Sequence, residues 1–202
     1  MNHTSTLHIL DSSTTVEEYF ITTKETHIFF LSNYSGKLHI HIQKEGAVVY
    51  VFGVYVGKGA DIFKVVTVQD HQKGESMSDL FIRGVFFDQS KFLFEGLINI
   101  AKNAQKSNAY QKNQNLILSK EAFVDSRPFL EIQANDVRCT HGSTTGRIDK
   151  EQLQYLGTRG ISPNDATTLV VEGFIEDIFL RLLAIDQSID CDVLRKKVVQ
   201  YS

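Results

Sequence analysis

Cys139 and His141 are two metal-capable side chains separated by a single residue, Thr140. In an extended backbone, residues two apart point to the same side, so thiolate and imidazole could reach one ion or one partner surface. Both groups suit iron and iron–sulfur centres. Two ligands do not complete a site, so a second chain would have to supply the rest. A plainer role is equally open, with Cys139 a small buried hydrophobe and His141, beside Gly142, a hydrogen-bonded turn residue. His39 and His41 repeat the spacing on another extended run, where alternating exposed polar residues account for them adequately. His71 is expected to stabilise a turn. The run Gly57-Lys58-Gly59 lacks the rest of a phosphate loop, and neither GxSxG nor HExxH occurs.

The cysteine–histidine pair lies where the period of the sequence changes, within the stretch Phe129 to Phe174. Upstream, short runs dense in β-branched and aromatic residues predict strands at 27–31, 37–42, 47–56, 62–68, 80–87, 91–100, 116–118 and 129–132. No stretch between them could form a crossover helix, which argues against a doubly wound α/β fold. Two all-β architectures remain open at this level. A sandwich would use hairpins, yet Asn-Gly and Asp-Gly are absent. A parallel β-helix would stack short strands through repeated corners. Gly53, Gly84 and Gly96 interrupt apolar runs as corners of the one or bulges of the other would. Residues 1–20, rich in Thr and Ser, read as a frayed or capping segment.

Downstream, apolar residues recur at three and four. Asp149 is expected to cap a short helix with Gln152 at its third position, and Arg159-Gly160 to end it, Gly160 taking positive φ. Ser162 should cap the next helix, with Pro163 at its first position and Asp165 near the positive end of the dipole. Its apolar face reads Ala166, Leu169, Val170, Gly173, Phe174, Ile178, Leu182 and Ile185. Gly173 in mid-helix suggests close backbone approach to a neighbour. A last helix is expected from about Cys191 to Gln200. The division is a β core over 1–146 and a helical appendage over 147–202.

With 202 residues, 42% of them apolar, the chain can bury a sizeable core. A net charge of −3 with scattered Lys and Arg predicts no nucleic-acid partner. No apolar run approaches the roughly 20 residues of a membrane-spanning helix, and the amino terminus has no signal-like core. Two distant cysteines make neither a zinc knuckle nor a disulfide framework, so a cytoplasmic setting is expected.

The run NDVRCTHGSTTGRID (135–149), the blocks QLQYL (152–156) and TRGIS (158–162), and EGF (172–174) resemble the carboxy-terminal signature of the SufB/SufD family. His71, GVFFD (84–88), FEG (94–96), AQK (104–106) and NLILS (115–119) fall in the same order upstream, so the resemblance spans roughly 35–185. It implies a right-handed parallel β-helix, which decides the architecture: mainly β, with a C-terminal α-helical appendage. It also implies a non-enzymatic scaffold subunit for iron–sulfur cluster assembly. Its partners would be a SufC-type ABC ATPase and a SufB-type scaffold subunit, or a second copy of itself. The cofactor would be a transient iron–sulfur cluster or iron shared with that partner, none being held stably by this chain alone.

His141 matches the histidine implicated in cluster building in SufD, and Cys139 is the second candidate ligand. The essential cysteine of SufB falls near Asn113, where this chain has no thiol, and SufB usually has Glu-His-Glu where this chain has Cys139-Thr140-His141. Both departures point to SufD. Tyr155, Arg159, Gly160 and Phe174 lie in the region matching the ATPase-binding surface. Tyr155 and Phe174 could equally pin the helices to the β core, and Gly157 stands where a larger basic residue is usual. Family members commonly carry a longer β-helix and an amino-terminal helical region, so this short form would need a partner to cover its first coil. The competing enzymatic reading, a β-helix polysaccharide lyase or esterase, finds few clustered carboxylates in the strand runs.

Overall fold

The computed structural model describes residues 5–199. The first four residues of the segment expected to fray or cap, and Gln200 at the expected end of the last helix, lie outside them. Strands β1 (Ser5–Leu10), β3 (Thr26–Ser32), β5 (Val48–Gly57), β7 (Met77–Phe86), β9 (Asn108–Ile117) and β11 (Arg138–Gly146) form one six-stranded sheet in that order. Strands β2 (Glu18–Ile21), β4 (Gly36–Ile42), β6 (Ile62–His71), β8 (Lys91–Ile100) and β10 (Phe123–Ile132) form a second, five-stranded sheet. Successive strands alternate between the sheets and every pairing within a sheet is parallel, so the chain winds as a β-solenoid. The coil lengthens along the chain: Ser5 pairs with Thr26, 21 residues on, whereas Val48 pairs with Met77, 29 on.

The two sheets differ in what covers them. In the five-stranded sheet, β6 and β8 alternate buried and exposed along most of their length, because one face lines the interior and the other meets solvent. Strands β3 and β5 are buried on both faces over most of their length. Their inner residues Phe29, Leu31, Val49, Val51 and Tyr55 join the solenoid core. Their outer residues Ile28, Phe30, Phe52, Val54 and Val56 pack with the C-terminal helices. The helical segment, expected as an appendage, thus shares a second apolar cluster with the outer face of the six-stranded sheet.

The helices are α1 (Lys150–Thr158), α2 (Pro163–Ile185) and α3 (Cys191–Val199). Asp149 caps α1 by accepting from the Glu151 backbone N–H at 2.9 Å, one residue earlier than a capping box at Gln152 would use. Gly160 has φ +82°, and Ser162 caps α2 with Pro163 in its first turn. The buried residues of α2 are Ala166, Ile178, Phe179 and Leu182, whereas Leu169 is 52% exposed. Only the second half of the predicted stripe meets the sheet, and Phe179, outside that stripe, meets it too. Nothing lies within 4 Å of a Cβ built on Gly173, so this glycine makes no close backbone approach.

Gly53, Gly84 and Gly96 occupy neither corners nor bulges; they sit within β5, β7 and β8. Gly96 makes room across the narrow interior for a side chain of the other sheet, whereas Gly53 and Gly84 make room for large side chains of their own sheet. A Cβ on Gly96 would stand 2.4 Å from Gln111 Nε2, and one on Gly84 would stand 2.4 Å from Phe86 Cε2 and 2.6 Å from Asn115 Oδ1.

His71 ends β6 in full burial and holds the following turn. Its Nδ1 lies 2.7 Å from Ser76 Oγ, which donates to the Lys73 carbonyl; its Nε2 lies 2.7 Å from Ser78 Oγ, which accepts from Gln69 Nε2. With both hydroxyls so committed, a neutral ring donating from Nδ1 and accepting at Nε2 closes the network. Burial, only partly opposed by neighbouring Asp70, lowers the His71 pKa from the ordinary 6.5 to about 4. Between those values the unfolded chain binds a proton that the folded chain does not, so stability rises with pH across that window. The stability is full above pH 6.5 and is lost as pH falls through about 4. Urea unfolding is expected to show a loss of roughly 3 kcal/mol from this group on acidification from pH 7 to pH 4. His71→Gln should flatten that dependence, and a variant with the parental slope would place its origin in other groups.

Candidate functional site

Among the described residues, β11 is an edge strand, bonded to β9 alone. Its start is fixed by the preceding turn. Gln105 Oε1 accepts from the backbone N–H groups of Asn135 (3.2 Å) and Asp136 (2.9 Å), and Arg138 N–H donates to the Ser107 carbonyl at 3.0 Å. From there the parallel register sets Cys139 opposite Ala109, His141 opposite Gln111, Ser143 opposite Asn113 and Thr145 opposite Asn115. Those four partners are buried, so Cys139 and His141 continue columns that line the interior. The β11 members lie on the last coil, where no further strand among the described residues covers them: His141 is exposed and Cys139 half-buried against the cluster of Ile98, Ile100, Ala104, Ala109 and Ala134.

The column through His141 runs His8, Phe29, Val51, Leu80, Gln111, His141, apolar in the middle and polar toward both ends. Gln111, Asn113 and Asn115 form a layer of buried amides directly beneath β11. Asn113 donates to Ser126 Oγ at 3.0 Å and Gln111 to the Gly96 carbonyl at 3.3 Å. The side-chain carbonyl oxygens of all three lack a hydrogen-bond partner among the described residues. Sequence reasoning missed this layer because only 116–118 carried a strand-like apolar pattern. The available signal was the alternation of Ala109, Gln111, Asn113 and Asn115 at every second position.

Cys139 and His141 share one face, with Cα atoms roughly 6–7 Å apart as in any extended strand. Burial raises the Cys139 pKa, so the thiol is its resting form. Donating this sulfur to iron therefore requires loss of a proton on ligation. Among the described residues, no third His, Cys, Asp or Glu joins the pair in a three-ligand cluster.

The residues expected to meet an ATPase fall into two groups. Tyr155, on α1, is 58% exposed, and Arg159, at the α1 C-cap, donates to its hydroxyl at 3.0 Å while lying 5.2 Å from its ring centroid. Gly160 follows immediately. Phe174 lies apart on α2, with the Arg83 guanidinium 4.2 Å from its ring centroid and Arg83 paired to Asp177 at 2.7 Å. Phe174 thus helps pin α2 to β7, whereas Tyr155 belongs to a helix with no buried residue. Between α1 and α2 lies an open groove of about 550 Å³, walled by Ile148, Leu156, Leu169, Val170 and Phe174 among others.

The domain described as the SufBD core domain of the SUF system for FeS cluster assembly matches residues 21–174. The chain belongs to the SufBD family. Within it, the likeness is to SufD. The iron-sulfur cluster assembly protein SufD of Escherichia coli K12 is 41% identical over 109 residues, covering 54% of this chain and 26% of that protein. SufD of Bacillus subtilis 168 is 35% identical over 125 residues, covering 62% and 29%. A SufBD family protein of Synechocystis is 34% identical over 91 residues, covering 45% and 20%. The chain thus spans less than a third of the length of each of these SufBD relatives.

The raised thiol pKa sets an expectation for reactivity. Iodoacetamide at pH 7 should modify Cys139 more slowly than a free cysteine, with the rate climbing as pH passes the ordinary thiol value of 9.0. Cys191, buried in α3, should be slower still. Peptide mass spectrometry follows both sites, and a Cys139 rate at pH 7 equal to that of a free cysteine would contradict the burial.

Proposed function

We propose that this chain is a non-enzymatic, SufD-like scaffold for iron–sulfur cluster assembly, acting with a SufC-type ABC ATPase and a SufB-type subunit or a second copy of itself. The observation that carries the reading is the placement of Cys139 and His141 on an uncovered edge strand, in a family whose relatives are named for iron–sulfur cluster assembly. An edge strand offers free backbone groups to a partner chain. The pair supplies donors suited to iron but too few to hold it, so the partner completes the site around the cargo. Iron or a nascent cluster is here the substrate, passed on rather than kept. Tyr155, Arg159 and Gly160, with the groove toward Phe174, form the surface offered to the ATPase.

Anaerobic reconstitution with the ATPase and SufB-type partner is expected to yield several-fold less cluster from His141→Ala than from the parent chain, with complex formation unchanged. An equal yield would remove the ligand role. Repeating the assay without the SufB-type subunit separates a homodimeric scaffold, which would retain cluster formation, from a heterodimeric one, which would lose it. At the helical end, Tyr155→Ala combined with Arg159→Glu should weaken ATPase binding roughly tenfold or more, as loss of an aromatic–Arg anchor does. Both side chains are exposed, so the variant should keep its helix content, and unaltered affinity would move the docking surface elsewhere.

A further inference from the structure

A second group of donors lies on the solvent face of the five-stranded sheet, remote in sequence from Cys139 and His141. His39 and His41 project from the same face of β4, with ring centroids 3.8 Å apart. The register of β2 on β4 sets Glu18 opposite His39 and Phe20 opposite His41. One donor atom from each of Glu18, His39 and His41 lies within 4.8 Å of the others. Ligands at about 2.1 Å from one cation sit roughly 3.4 Å apart, so side-chain adjustment alone would close the cluster.

The surrounding groups orient these donors. Asp70 lies opposite His41 on β6, and its Oδ2 is 3.3 Å from His41 Nδ1. The carboxylate is itself fixed, accepting from Gln72 Nε2 at 2.6 Å and from Asn99 Nδ2 at 2.8 Å. Gln72 Nε2, a donor only, also lies 3.3 Å from His41 Nδ1 and would favour a lone pair there, but its short bond to Asp70 occupies it, and the charge-assisted bond to the carboxylate keeps the ring proton on Nδ1. The lone pair of His41 is then on Nε2, 3.9 Å from Glu18 Oε2. This is the carboxylate–histidine arrangement that orients metal-binding imidazoles. Phe20 stacks on His41, with centroids 4.6 Å apart and planes 6° apart, and holds the ring from the other side. The Nε2 atoms of both His39 and His41 are buried without a hydrogen-bond partner among the described residues. Both nitrogens are therefore available to a ligand.

We propose that Glu18, His39 and His41 bind a divalent transition-metal cation, with Asp70 holding His41 in its ligating tautomer. Two imidazoles and one carboxylate suit zinc, iron(II), nickel or copper, whereas magnesium and calcium prefer all-oxygen shells. Three protein ligands leave at least one position open, and the side chain of Glu18 is 53% exposed, so the bound cation exchanges with solvent rather than being sealed in. This site does not depend on the role proposed for His141.

The test is titration of the full untagged chain with Zn²⁺ by calorimetry against a competing chelator, and with Co²⁺ by visible absorption. One equivalent is expected to bind the parent chain and also the Cys139→Ser/His141→Ala variant, with Co²⁺ bands lacking a thiolate contribution. Binding should be lost in His39→Gln/His41→Gln. It should weaken at least about tenfold in Glu18→Gln, whose side chain is too exposed to threaten the fold. No binding by the parent, equal binding by Glu18→Gln, or loss confined to the Cys139→Ser/His141→Ala variant would overturn the proposal.

Discussion

In-register parallel stacking is the constraint from which the rest of this molecule follows. Each residue of a coil sits over one residue of the coil before it, so side chains form columns rather than an irregular interior. Toward β11 the column turns polar: Val51 and Leu80 give way to Gln111, then to His141. Buried amides with unmatched carbonyl oxygens are costly in the middle of an apolar core. They are tolerable one layer from an open end, where the next coil is itself exposed. The polar end is therefore built into the stacking, and a histidine there is presented outward by a position that deeper in the stack would bury it.

The same winding gives the two sheets different fates. α2 and α3 return across β5 and β7 and cover the outer face of the six-stranded sheet at its middle strands, where Phe30, Phe52, Val54 and Phe81 meet Ile178, Phe179 and Leu182. Charged side chains are folded into this contact: Arg83 and Arg181 both pair with Asp177 and both lie over the Phe81 ring. Among the described residues the five-stranded sheet has no such cover, so its outer face keeps polar residues at alternate positions. His39 and His41 can stand side by side there because that face is open to water yet still walled by neighbouring strands.

How much of this was legible in the sequence depends on which side chains carry the signal. Strands with an apolar inner face were readable from their alternation, and α1 and α2 were readable from their capping residues, Asp149 and Ser162. β9 was mostly invisible because its inner face is Gln111, Asn113 and Asn115, which no apolar pattern reveals. β1 and β2 sit in a stretch whose apolar content is weak, and they form the shortest coil. Gly53, Gly84 and Gly96 signalled something special, but a mid-strand glycine that makes room for a neighbouring side chain looks in sequence like a corner. Parallel winding itself needed the family resemblance, since strand runs alone do not say which strand lies beside which.

The two metal-capable pairs show what sequence spacing can and cannot establish. Cys139–His141 and His39–His41 share the same i, i+2 spacing, and on spacing alone the cysteine-containing pair is the stronger candidate for iron. Their surroundings reverse the comparison within a single chain. Beside β11 there is one neighbour, and it offers neutral amides; beside β4 there are two, and they offer Glu18 and Asp70. Glu18 is 21 residues before His39, and Asp70 is 29 after His41, distances that mean nothing until the coil length is known. A pair on an edge strand must wait for another molecule to finish its coordination, whereas a pair inside a sheet receives its remaining ligand and its orienting carboxylate from the coils on either side. The former arrangement suits cargo that has to leave; the latter suits an ion held by one chain.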